Sequence, residues 1–149
     1  MLREKLRNKK GFTLIEIIVV IVILAVLMAV AVPSVMSYMN EGNKAKYESV
    51  ARTVLINTQT EFAKEVGDGK NKADAIKDTI NAVAGKNYGE DVQVSVSSIT
   101  LTGTDANEVS GRDVKSVTCS ITIDHKQKSP VTIETNKKVT IPDDTTTVS

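Results

Sequence analysis

Apolar and polar positions divide the chain into stretches of different period. From Phe12 to Val32, twenty-one residues include only two polar side chains, Thr13 and Glu16, and Ile17 to Val32 is an unbroken apolar run. As a helix rising ~1.5 Å per residue this stretch spans about 31 Å, close to the hydrocarbon thickness of a bilayer. Farther on, Tyr47, Val50, Ala51, Val54, Leu55, Thr58, Phe62 and Val66 recur at spacings of three and four, one stripe of an amphipathic helix. Lys44, Lys46, Glu48, Arg52, Glu61 and Lys64 fall largely off that stripe, and Gly67-Asp68-Gly69 predicts the stop.

Between the two patterns stand Pro33, which lacks an N–H and is expected to kink or loosen a helix, and Gly42, a second weak point costing about 1 kcal/mol relative to Ala. Either the apolar helix ends at Pro33 and a new helix begins, or one helix continues; the pattern resumes at once, so the expectation is one helix from Phe12 to Val66, about 82 Å long, with Pro33 and Gly42 as its flexible points. No domain of this size buries such a helix, so its first half must use lipid or other subunits.

Beyond Gly69 the pattern predicts a short helix over Asn71–Ala84, with Ala73, Ile76, Ile80 and Val83 on one face and Gly85 as stop. After Gly89 the period becomes two. Val92, Val94 and Val96 alternate with polar residues, and Ile99 and Leu101 continue after a phase shift that predicts a bulge near Ser97-Ser98. Val117, Cys119, Ile121 and Ile123 alternate, with Val114 upstream. Val131, Ile133, Val139 and Ile141 flank a hairpin at Asn136-Lys137. The predicted class is α+β, a long N-terminal helix whose amphipathic half carries an antiparallel sheet of three to four strands. The expected divisions are 1–11 ahead of the apolar run, 12–32 apolar helix, 33–66 amphipathic helix, 67–142 globular head and 143–149 flexible tail.

Charge sharpens the N-terminal picture. The net charge of +1 hides a cationic start: Arg3, Lys5, Arg7, Lys9 and Lys10 against Glu4 alone, with a mildly acidic remainder. The positive flank predicts a cytoplasmic N-terminus and a translocated C-terminal part. Nothing in the balance asks for nucleic acid. A single cysteine, Cys119, excludes an internal disulfide.

Three readings of the apolar run compete: a secretory signal peptide cut after Ala31, a plain single-span anchor, and an assembly helix. The run exceeds the ~7–15 apolar residues usual in a signal peptide. Neither of the first two explains Glu16, since a charge in a membrane helix costs roughly 2.5–3.5 kcal/mol at its centre and less toward an end. A cut after Gly11 supplies a partner, because Phe12 then exposes an α-amino group four residues from Glu16.

Lys9-Lys10-Gly11-Phe12-Thr13-Leu14-Ile15-Glu16, followed by the long apolar run, resembles the class III signal of type IV pilins and their relatives. The likeness covers about thirty residues; beyond Pro33 it is one of architecture alone. The resemblance implies cleavage between Gly11 and Phe12 by a prepilin peptidase, methylation of the Phe12 amine, and attraction of Glu16 to the Phe12 amine of a neighbour during growth. It also implies an assembly platform in the membrane, lipid around the helix before assembly, self-association into a helical filament, an extracellular fibre afterwards, and no cofactor. The absence of a cysteine pair departs from the disulfide-closed loop of many such pilins. A pseudopilin of a secretion or DNA-uptake machine and a monomeric membrane-anchored binding module are the rival readings.

Little else carries chemistry. Cys119 shares a strand face with apolar residues and reads as a structural thiol, and His125 sits at a strand end without a partner. Asp105-Ala106-Asn107-Glu108 is a carboxylate-rich loop without the alternation and glycine of a calcium loop, so no metal ligands are assigned. Lys126, Lys128, Lys137 and Lys138 would form a basic end of the sheet able to touch DNA, though edge protection accounts for them better. No phosphate loop, zinc spacing or paired carboxylates point to an enzyme. The C-terminal stretch has neither a second apolar span nor a sorting signal, which argues against a covalently linked fibre.

Overall fold

A computed structural model of the protein describes residues 11–102 and 113–143 and the backbone of Thr146–Thr147. The elements run α1 (Leu14–Gly67), α2 (Lys72–Ala84), β1 (Val92–Leu101), β2 (Val114–Ile123), β3 (Lys126–Glu134), β4 (Val139–Thr140) and β5 (Thr146–Thr147). The class is α+β, as expected. By internal contacts the chain divides into two units, Met1–Glu41 and Gly42–Ser149, and Gly42 opens the second.

In the first unit, α1 is helical through Pro33. Its apolar residues from Leu14 to Met39 are all solvent-exposed, and none of the bilayer-length window is buried.

In the second unit, α1 contributes Tyr47, Ala51, Val54, Leu55, Thr58 and Phe62 to the core, the stripe that the spacing predicts. Glu65 joins them, because Lys70 contacts its carboxylate. The helix ends in a Schellman motif: Lys70 N–H donates to Glu65 O (3.3 Å) and Gly69 N–H to Val66 O (3.0 Å). Gly69 at φ 80° takes the left-handed conformation that this stop requires.

The short helix begins one residue later than expected because Asn71 caps it, its Oδ1 accepting from Asp74 N–H at 3.0 Å. Its buried face differs from expectation as well. Ala75, Thr79 and Val83 are buried, Ile76 and Ile80 flank them, and Ala73 is exposed. The helix lies against β1.

The sheet is antiparallel in the order β1-β2-β3-β4. The predicted bulge is present, as a register shift between Val96 and Ser98. On β2, Val114, Val117, Cys119, Ile121 and Ile123 all face the core, with Val131 and Ile133 of β3 beside them. The Asn136-Lys137 hairpin pairs Ile133 with Val139.

Two parts of the sheet depart from expectation. The β2–β3 turn is Asp124-His125, both at positive φ, a tight hairpin built without glycine, so β3 starts at Lys126 instead of near Val131. The tail is not wholly without structure either: Thr146–Thr147 pairs with Lys126 and Gln127 as β5. Two carbonyls in the intervening stretch, those of Pro142 and Asp143, accept from Lys128 Nζ. Pro130 within β3 and Pro142 just beyond β4 have no N–H to give to a ladder.

Candidate functional site

The N-terminal end of α1 holds the residues that the sequence singles out. Gly11, Phe12 and Thr13 precede the helix and are exposed, Phe12 at 79%. The Gly11–Phe12 bond is therefore outside regular structure. Glu16 is the third residue of the helix, where a carboxylate complements the macrodipole.

The helix start is a reciprocal capping box. Glu16 N–H donates to Thr13 Oγ1 (3.3 Å), and Thr13 N–H donates to the Glu16 carboxylate at 3.4 Å. Glu16 thus has a role within its own chain that the charge argument missed. The signal was present as Thr13-x-x-Glu16 ahead of an apolar run, the sequence form of this cap. Thr13 is the site residue that sequence reasoning overlooked.

Pro33 and Gly42 both lie inside continuous helix, and a Cβ added at Gly42 would meet nothing within 4 Å. Gly42 is therefore not required by packing in this chain.

Among the described residues no three His, Cys, Asp or Glu side chains gather to hold a metal ion. The loop Asp105–Glu108 lies outside the described residues. Cys119 is fully buried, and burial pushes its thiol up to about 12. His125 stands in the β2–β3 turn.

The four lysines do not form one basic end. Lys126 and Lys128 lie in the first half of β3, whereas Lys137 and Lys138 lie in the turn beyond its other end. That separation is about 25 Å at ~3.3 Å per residue.

Among the described residues, three ion-pair groups fasten helices and sheet within the head. Lys86 meets Glu61 at 2.8 Å, and hydrogen bonding to Lys86 holds the Glu61 carboxyl below its usual range. Lys70 joins Glu65 and Asp78 and is held above the usual lysine range by those hydrogen bonds. Lys46 approaches Asp124 at 3.9 Å, beside Tyr47, whose hydroxyl donates to Lys126 O at 2.6 Å. Desolvation, then Asp124, raises the Tyr47 hydroxyl.

Residues 6–32 match the prokaryotic N-terminal methylation motif. The chain carries the class III signal of type IV pilins and pseudopilins. That motif, with the exposed apolar helix behind it, supports a type IV pilin-like or pseudopilin protein made as a membrane-anchored precursor with a prepilin leader. No match was found among curated proteins or among solved structures.

Proposed function

We propose that the protein is a non-enzymatic structural subunit of a type IV pilus on the cell surface. Its leader, residues 1–11, is removed between Gly11 and Phe12 by a prepilin peptidase, and the Phe12 amine is methylated. The helix over 12–32 anchors the precursor in the cytoplasmic membrane with its N-terminus in the cytoplasm. It then packs with other copies as the fibre core. The carrying observation is the methylation motif at 6–32 on a helix whose apolar residues, Leu14 to Met39, are all exposed.

An exposed apolar surface of that extent needs either lipid or copies of itself. Glu16 suits the second partner: the amine created at Phe12 can replace the exposed Thr13 N–H as the partner of its carboxylate. Pro33 and Gly42 supply the give that packing along a fibre demands.

Mass spectrometry of the native N-terminus is the direct test. A methylated Phe12 supports the reading; an intact Met1 or a cut after Ala31 overturns it. Imaging of labelled filaments separates a long pilus from the short assembly of a pseudopilin.

A further inference from the structure

The aromatic residues of the chain, three tyrosines and two phenylalanines, fall into two sets. Tyr47 and Phe62 are buried in the head, and Tyr88 packs against the same core. The Tyr47 and Tyr88 hydroxyls donate to backbone carbonyls, those of Lys126 and Val83. Phe12 and Tyr38 belong to the first unit and are exposed, at 79% and 72%. They stand near the two ends of its apolar surface.

That surface outruns the bilayer-length stretch that ends at Val32. Because α1 stays helical through Pro33, Val35, Met36, Tyr38 and Met39 extend the same exposed apolar surface. No charged side chain stands between Glu16 and Glu41. At ~1.5 Å per residue, Glu16 to Glu41 covers about 38 Å. The hydrocarbon core of a bilayer is ~30 Å thick, and ~40–45 Å with its headgroup layers. The uncharged stretch is therefore too long for hydrocarbon alone and reaches into a headgroup layer.

The position of Tyr38 follows from the same rise. A charge is cheapest near the end of a span, which sets Glu16 at one boundary of the hydrocarbon. The other boundary then falls near Met36, and Tyr38 lies about 3 Å beyond it. Ser34, Ser37 and Asn40 interleave with the apolar residues there, a mixture suited to the boundary between acyl chains and water. Tyrosine has an apolar ring and a polar tip, and such side chains concentrate at membrane interfaces.

We propose that, before assembly, Tyr38 anchors the precursor in the headgroup layer on the C-terminal side of its span, with Val35, Met36 and Met39 around it in lipid. The ring lies among the upper acyl chains and the hydroxyl points to water. Lipid contact ends at Glu41, and the second unit begins at the next residue, Gly42. The anchor rests on the reading of α1 as the membrane span of the precursor.

The test uses the uncleaved full chain in phosphatidylcholine vesicles. Nitroxide labels are placed on Ile23→Cys, Met39→Cys and Ile56→Cys; Cys119, buried with its thiol pushed up to about 12, stays unlabelled. Collision with oxygen, which concentrates in lipid, is divided by collision with a water-soluble nickel chelate. The ratio at Met39→Cys should lie between the other two, at least about threefold above Ile56→Cys, because the headgroup layer lies between hydrocarbon and water. Tyr38→Ser should lower the Met39→Cys ratio at least about twofold, and Tyr38→Trp, which keeps an interfacial ring, should preserve it. Tyr38 is exposed, so neither change touches the core of the head. A lipid-embedded Ile23→Cys label with Met39→Cys matching Ile56→Cys would overturn the anchor and leave the span standing. A water-exposed Ile23→Cys label would overturn both. A Met39→Cys label shielded from both reagents would assign the segment to contact with another copy, and an unchanged ratio in Tyr38→Ser would remove Tyr38 as the anchor.

Discussion

Glu16 has two candidate roles that one variant series separates. Its carboxylate accepts from Thr13 N–H in the capping box, and its charge is the proposed partner of the Phe12 amine in a fibre. Glu16→Gln keeps a capping-box side chain at the third helical position but removes the charge; Thr13→Val removes the hydroxyl of the cap and leaves the charge. Loss of a cap costs about 1 kcal/mol, roughly fivefold in an equilibrium constant. An ammonium buried in a fibre core without its carboxylate costs about 3–5 kcal/mol, roughly a hundredfold to a few thousandfold. Glu16→Gln and Glu16→Ala should therefore both insert in the membrane, lose their leader normally and yield almost no filaments. Thr13→Val should still assemble, with a modest fall in yield. The assay is leader cleavage by immunoblot together with filament mass in the sheared fraction. Wild-type filament yield from Glu16→Gln would refute the charge role and leave the cap as the function of Glu16.

The head permits further tests by chemical denaturation of the full chain in detergent. Ile121 is fully buried at the centre of β2, so Ile121→Ala should destabilise the head by about 2–5 kcal/mol. Thr79 Oγ1 is buried without a hydrogen-bond partner, so Thr79→Val should stabilise by about 1–2 kcal/mol. Thr58→Val, which deletes the 2.7 Å bond to Val54 O but leaves no orphaned donor, should change stability by less than about 1.5 kcal/mol. Cys119 should resist alkylation at pH 8 until the head is unfolded. Its folded value of about 12 stands above the ordinary 9.0, so the unfolded thiol ionises first and the folded state holds its proton longer. Stability from this group is therefore undiminished below pH 9 and falls by about 1.4 kcal/mol per pH unit from 9 to 12, read as a declining denaturation midpoint.

Much of the fold was legible because its periods are strong. The stripe from Tyr47 to Phe62 and the alternation from Val114 to Ile123 each declare one buried face, and the phase shift at Ser97-Ser98 declares its bulge. What escaped had weak local signals. Lys126 to Pro130 is polar with a proline, so nothing in it reads as strand; it is one because the Asp124-His125 turn returns the chain onto β2 and Tyr47 binds its carbonyl. Of the face expected on α2, Val83 is buried and Ile76 and Ile80 pack against the core, whereas Ala73 is exposed. The buried line of α2 is Ala75, Thr79 and Val83, on a helix that lies against β1.

The N-terminal signal is local in kind, which is why the sequence by itself determines it. Basic leader, Gly11, Phe12, Glu16 and the apolar run act through spacing on one helix, and spacing is readable without a fold. Even the Thr13 cap is a relation across three residues. The sheet is different. Ser98, Thr118, Thr132 and Thr140 are separated by up to forty-two residues and become neighbours only through strand register. The separation of Lys126 and Lys128 on β3 from Lys137 and Lys138 in the turn beyond it is likewise a result of where the turns fall. Tertiary structure decided what the head presents to solvent, because hydrogen-bonded pairing between distant strands, not sequence proximity, sets which side chains stand side by side.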